Sequence, residues 1–203
     1  MATTSPERFA ALTDAAIALI AELGMRGLTH RAVDARAGLP AGTASAYLRT
    51  RKALIEAVVQ RLADLDTADL AARGVPTGPA GAAPDLDALA TGIAGLLDDW
   101  LTTGRARALA RYACLLEATH HRELRPILAY GVAMRAQARA LLAAADAPDA
   151  EQRGSHLVAA VDGLLFDRLA GAGSLAAPTP GTAESRADLA AAVRGLLRAA
   201  VAR

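Results

Sequence analysis

Between Gly24 and Lys52 the chain carries Arg26, Arg31, Arg36, Arg49, Arg51 and Lys52 against one acid, Asp34, although the net charge of all 203 residues is only +1. Clustered guanidinium and ammonium groups bind phosphate oxygens through charge-assisted hydrogen bonds, so polyanion chemistry belongs to this stretch. The basic footprint is local; the whole-chain charge alone argues for no such partner. Elsewhere the chemistry-bearing residues are sparse. Glu117-x-x-His120 sets a carboxylate and an imidazole on one helical face, but a di-metal bundle needs a second such motif. The sequence has none, so no metal is expected. Asp98-Asp99-Trp100 holds an isolated acidic pair. With no serine–histidine–aspartate arrangement, phosphate-cradling glycine loop or dinucleotide fingerprint, neither enzymatic activity nor a cofactor is expected.

The elements that must position the cations are helices. Hydrophobic residues make up 53% of the chain and aromatics 3%, so the core is built of Ala, Leu and Val, and apolar residues recur at spacings of three and four. A first helix runs from Pro6 to Leu23, with Gly24 as a left-handed cap. Thr29 caps a short second helix that stops at Gly38, with Leu28 and Val33 placed for a hydrophobic staple. Pro40 pre-sets a third segment, Ala41 to Leu48, and Thr50 caps a fourth helix. About nine helices are expected. The domains are 1–50, a connecting helix 51–72, a Gly- and Pro-rich linker 73–84, and a helical domain 85–203. A lone Cys114 allows no intrachain disulfide and fits a reducing cytoplasm. Neither a signal peptide nor a membrane-length apolar run is evident.

Two short helices joined by a Gly-containing corner form a helix-turn-helix, whose second helix lies in the DNA major groove. A plain helical hairpin with solvated arginines would look alike locally. The wider run AELGMRGLTHRAVDARAGLPAGTASAYLRTRKALIEAVV, however, resembles the DNA-binding domain of the TetR family of transcriptional regulators over residues 8–65. The likeness rests on the Gly24–Leu28 turn, Thr29, Ala37-Gly38-Leu39, Gly42-Thr43, Tyr47 and Thr50-Arg51-x-Ala53-Leu54. It implies an all-α protein with a helix-turn-helix domain and a C-terminal effector-binding and dimerisation domain.

It also implies site residues. Thr29, Tyr47 and Arg51 would meet phosphates and Arg31 a base edge; independently of the resemblance, Thr50, Arg51 and Lys52 open a helix whose N-terminus attracts phosphate. Ala41, Gly42, Thr43 and Ser45 would face the groove. The family usually carries bulkier residues at the positions of Ser45 and Ala46, and Phe at that of Leu48. So thin a recognition helix leaves base reading either to Arg31 and thymine-methyl contacts or to DNA shape. The partners implied are double-stranded operator DNA, a second copy of the chain and an unidentified small-molecule effector, in a ligand-responsive repressor of palindromic sites. The alternative is an all-helical binding protein or enzyme without DNA function. Trp100, Tyr112, Cys114, Glu117, Tyr130 and Met134 are the candidate effector-pocket residues, with ordinary core as the other explanation. Leu157, Val161, Leu164, Leu165, Leu189, Val193 and Leu196, on the last two long helices, are the candidate homodimer face.

Overall fold

The computed structural model describes residues 5–72, 85–121, 125 and 129–202. Among these there are ten helices and no strand: α1 (Pro6–Gly27), α2 (His30–Ala37), α3 (Thr43–Tyr47), α4 (Arg51–Ala72), α5 (Leu86–Leu101), α6 (Arg105–His120), α7 (Ala129–Ala144), α8 (Ala150–Ala170), α9 (Gly173–Ala176) and α10 (Ala183–Val201). The all-α expectation holds. The helix absent from the sequence count is α9, a single turn with no apolar periodicity to announce it. The expected linker 73–84 lies outside the described residues.

Two compact units emerge, Met1–Leu65 with Ala106–Ala129 and Asp66–Arg105 with Tyr130–Arg203. This differs from a simple cut at residue 73. Helix α6 joins the first unit because Ala110, Cys114 and Ala118 are buried in one core with Leu12, Ile20, Val33, Leu54 and Val58. Periodicity shows which face of a helix is apolar, not which helices cover it.

In the first unit α1 loses regular geometry at Gly24, where φ is +67°. Leu28 and Val33 flank the Thr29 cap and are fully buried, as a staple requires. Thr29 Oγ1 accepts the Ala32 N–H at 3.1 Å. Arg61 on α4 grips Asp14 on α1 through two bonds of 2.9 and 3.0 Å.

In the second unit α10 packs along α5 and against α8, burying Leu96, Leu97, Leu165, Leu189, Val193 and Leu197. Gly154 permits α8 to approach α7 closely, since a Cβ there would stand 2.8 Å from the Arg139 backbone nitrogen. Asp98 on α5 is buried yet satisfied: Oδ1 accepts from the Gly181 N–H and the Ser185 hydroxyl, both at 2.8 Å, and Oδ2 from Arg186 at 3.2 Å. A buried carboxylate is tolerable only with such donors, and here they pin the start of α10 to α5. No helix among the described residues is long and apolar enough to cross a membrane.

Candidate nucleic-acid interface

The corner between α2 and α3 is built by backbone geometry. Gly38 closes α2 at φ +64°, and the Leu39 N–H returns to Asp34 O at 2.9 Å. The chain does not then enter a helix at Ala41, as the proline suggests. The Thr43 N–H and hydroxyl both turn back to Pro40 O, at 3.1 and 2.6 Å, and Gly42 sits at φ +93°. Ala41 and Gly42 therefore belong to the turn, and α3 starts at Thr43. A Cβ on residue 42 would meet nothing within 4 Å, so glycine is demanded there by its left-handed backbone rather than by space.

Ala44 is fully buried under α3 and Leu48 nearly so, while Ala41, Ser45 and Ala46 are exposed and Thr43 is half-buried. The outward face of α3 thus carries methyl groups and one serine hydroxyl. Two residues not singled out from the sequence complete the corner. Asp34, counted there only as the lone acid, is 3% exposed. Its Oδ2 accepts the Gly42 N–H at 2.7 Å and its Oδ1 the Ala44 N–H at 2.6 Å. His30 Nε2 stands 2.5 Å from Leu48 O. A possible signal for Asp34 was the absence of a capping side chain at Gly42, which left α3's first N–H groups in need of an acceptor.

The six cations fall into paired and exposed sets. Arg36 forms a two-pronged ion pair with Glu22, whose carboxyl is held below its ordinary pKa mainly by those hydrogen bonds. Arg51, expected at a phosphate, turns its guanidinium onto Leu28 O at 2.5 Å and Met25 O at 2.6 Å. There it neutralises carbonyls at the end of α1 and ties α4 to them, because a helix C-terminus attracts a cation as a phosphate does. Arg26, Arg31 and Arg49 are exposed, with no hydrogen bond or ion pair among the described residues. Lys52 is exposed and lies 3.7 Å from Glu56, a surface pair of small value. Thr50 Oγ1 accepts the Ala53 N–H at 3.0 Å and so caps α4 as expected. Tyr47 is half-buried against the core, and its hydroxyl oxygen accepts the Ser5 N–H at 3.4 Å.

The other candidate residues are scattered. Tyr112, Cys114 and Glu117 fall in the first unit, and Trp100, Tyr130 and Met134 in the second. Cys114 is 1% exposed within the first unit's core, and burial, aided by Glu117, pushes its thiol up to about 12. It packs within that core. Glu117 pairs with His121 at 3.6 Å. The buried Trp100 donates its indole N–H to Asp69 at 3.1 Å. Tyr112 and Met134 are half-buried. Of the candidate dimer residues, Leu157, Leu165, Leu189 and Val193 are buried inside the second unit, and Val161, Leu164 and Leu196 are half-buried. Four of the seven stripe residues thus face the inside of the unit; Ala159, Gly163, Phe166 and Ala170 of α8 and Ala187, Ala191, Gly195 and Ala199 of α10 are exposed alongside charged residues such as Asp162, Asp167, Arg186 and Arg198. A shallow groove of about 220 Å³ between these helices is lined by His156, Leu157, Ala160 and Leu196 among others.

Residues 84–199 match the family model described as tetracyclin repressor-like, C-terminal domain. Among solved structures, a member of the TetR family from Streptomyces coelicolor A3 is 26% identical, with a TM-score of 0.71 over 98% of this chain and 100% of that one. A transcriptional regulator from Rhodococcus sp. Rha1 is also 26% identical, with a TM-score of 0.71 over 98% and 100%. The multidrug binding protein EbrR complexed with malachite green is 26% identical, with a TM-score of 0.66 and the same 98% and 100% coverage. No curated protein matches the sequence.

Proposed function

The chain belongs to the TetR family of transcriptional regulators, and on that premise we propose that it is a ligand-responsive repressor that binds a palindromic operator as a homodimer. The observation that carries this is the α2–α3 corner. It holds an exposed short helix beside outward-facing Arg26, Arg31, Arg49 and Lys52, the layout of a helix-turn-helix with phosphate contacts on its flanks. Lys52, Arg26 and Arg49 would neutralise phosphates, and Thr29, Tyr47 and the capped N-terminus of α4 at Thr50 would hydrogen-bond them. Arg31 would read guanine, and the methyl groups of Ala41, Thr43 and Ala46 the thymine methyls, with Ser45 as the one short polar contact. Arg51 ties α4 to the end of α1 through the Leu28 and Met25 carbonyls.

Two-fold pairing through the exposed small-residue faces of α8 and α10 would set the spacing of the two recognition helices. An effector bound in the second unit would act only through different affinities for the DNA-bound and free conformations. EbrR, which binds malachite green, makes that dye a first probe of the effector site. Mobility shift of the full chain on the DNA upstream of its own gene, at moderate salt, tests the DNA-binding role. A shifted band that resists random competitor is expected. Equal competition by random duplex overturns the proposal. A rise in melting temperature with malachite green, measured without DNA, tests the effector role.

A further inference from the structure

We infer that His30 and Asp34 are positioning residues that fix how α3 presents itself to DNA, a role resting on the DNA-binding function proposed above. They stand one turn apart on α2, so their side chains share a face. Between them they hold both ends of α3. Asp34 takes the Gly42 and Ala44 N–H groups at 2.7 and 2.6 Å, and His30 Nε2 meets Leu48 O at 2.5 Å. A carbonyl oxygen only accepts, so His30 carries its proton on Nε2.

The need for such a bracket follows from the length of α3. Five residues are far too few to hold a helix by internal hydrogen bonds, and Gly42 offers no capping side chain. Burial of Val33, Ala44 and Leu48 brings α2 and α3 together, but apolar contact is non-directional and leaves rotation and tilt loosely set. Hydrogen bonds at both ends remove that freedom. The outward face makes the freedom costly. Ala41, Thr43, Ser45 and Ala46 extend at most two heavy atoms past Cα, so no long side chain can re-aim to absorb a misplaced helix.

The test uses the full-length chain and a duplex that the wild type selects from a random library, with a scrambled duplex as control. Anisotropy titrations over roughly 50 to 300 mM salt give both affinities and their salt slopes. The variants are His30→Ala, His30→Gln and Asp34→Asn, each checked for folding by circular dichroism. Folded His30→Ala is expected to bind the scrambled duplex as the wild type does, and Asp34→Asn, which also removes a negative charge, at least as tightly, each with an unchanged slope and each losing about tenfold or more in the ratio of selected to scrambled affinity. His30→Gln, which restores an N–H donor near Nε2, is expected to recover most of that loss. If Asp34→Asn does not fold, the His30 pair carries the comparison. Folded variants that keep the wild-type ratio of selected to scrambled affinity overturn the inference, as do parallel losses on both duplexes. A wild type that enriches no sequence overturns the DNA-binding role itself, which separates the two failures.

Discussion

The salt dependence of DNA binding separates charge counted in the sequence from charge the fold leaves available. Six cations between residues 24 and 52, at about 0.9 counterion per phosphate neutralised, give a slope of log K against log salt near −5 per protomer and about −11 per dimer. The structure removes two of them. Arg36 is paired with Glu22, and Arg51 is turned onto the carbonyls of Met25 and Leu28. Four remain, so the expected dimer slope is about −7, and affinity falls by about ten-thousand-fold, not a million-fold, between 50 and 200 mM salt. Fluorescence anisotropy on a selected duplex measures this directly. Lys52→Gln in both protomers is expected to flatten the slope by about 2. The double change Arg36→Gln with Glu22→Gln, which removes the pair without stranding a charge, is expected to leave it unchanged. A wild-type slope near −11, or equal flattening by both variants, refutes the division of the cations.

Three further outcomes follow from other parts of the molecule. Asp98→Ala strips the acceptor from Gly181, Ser185 and Arg186 and is expected to cost about 3 kcal/mol in urea unfolding, with Asp98→Asn costing about half of that; a loss below about 1 kcal/mol for the alanine variant contradicts it. Cys114 is held protonated, with its folded pKa raised from 9.0 to about 12, so its contribution is complete below pH 9 and declines as pH rises from 9 toward 12. Wild type is expected to lose about 1 kcal/mol more than Cys114→Ala between pH 8 and pH 10, and identical pH dependence of the two denaturation curves argues against it. Ala191→Glu places a charge on the exposed face of α10 and is expected to lower the solution mass from twice 20.7 kDa to 20.7 kDa, whereas Val193→Ala, in the core, is expected to lower the melting temperature without changing the mass. Sedimentation equilibrium decides between them, and an Ala191→Glu dimer removes α10 from the interface.

Local chemistry was enough to place much of this fold from sequence. Gly38 marks a left-handed stop, and Thr29 and Thr50 mark helix starts, whereas Gly24, expected to end α1, is a positive-φ break within a helix that runs on to Gly27. Each is decided within a few residues by backbone sterics or a capping oxygen, and so is readable in order along the chain. The late start of α3 was not. Proline at residue 40 suits a first helical turn, but Gly42 at φ +93° reverses the chain there, with its N–H on the Asp34 carboxylate of α2.

The sequence by itself determined the class of structure, the helix boundaries set by glycine and capping residues, and the basic stretch from Arg26 to Lys52, because propensity, caps and formal charge are properties of neighbours in the chain. The tertiary structure alone decided which of those cations face outward, that α6 closes the first unit's core, and that Leu157, Leu165 and Leu169 of α8 and Leu189 and Leu197 of α10 are buried. It also brought Asp34, counted in the sequence only as an acid, and His30 to the two ends of α3. These outcomes depend on partners remote in sequence, and periodicity names an apolar or charged face without naming what meets it.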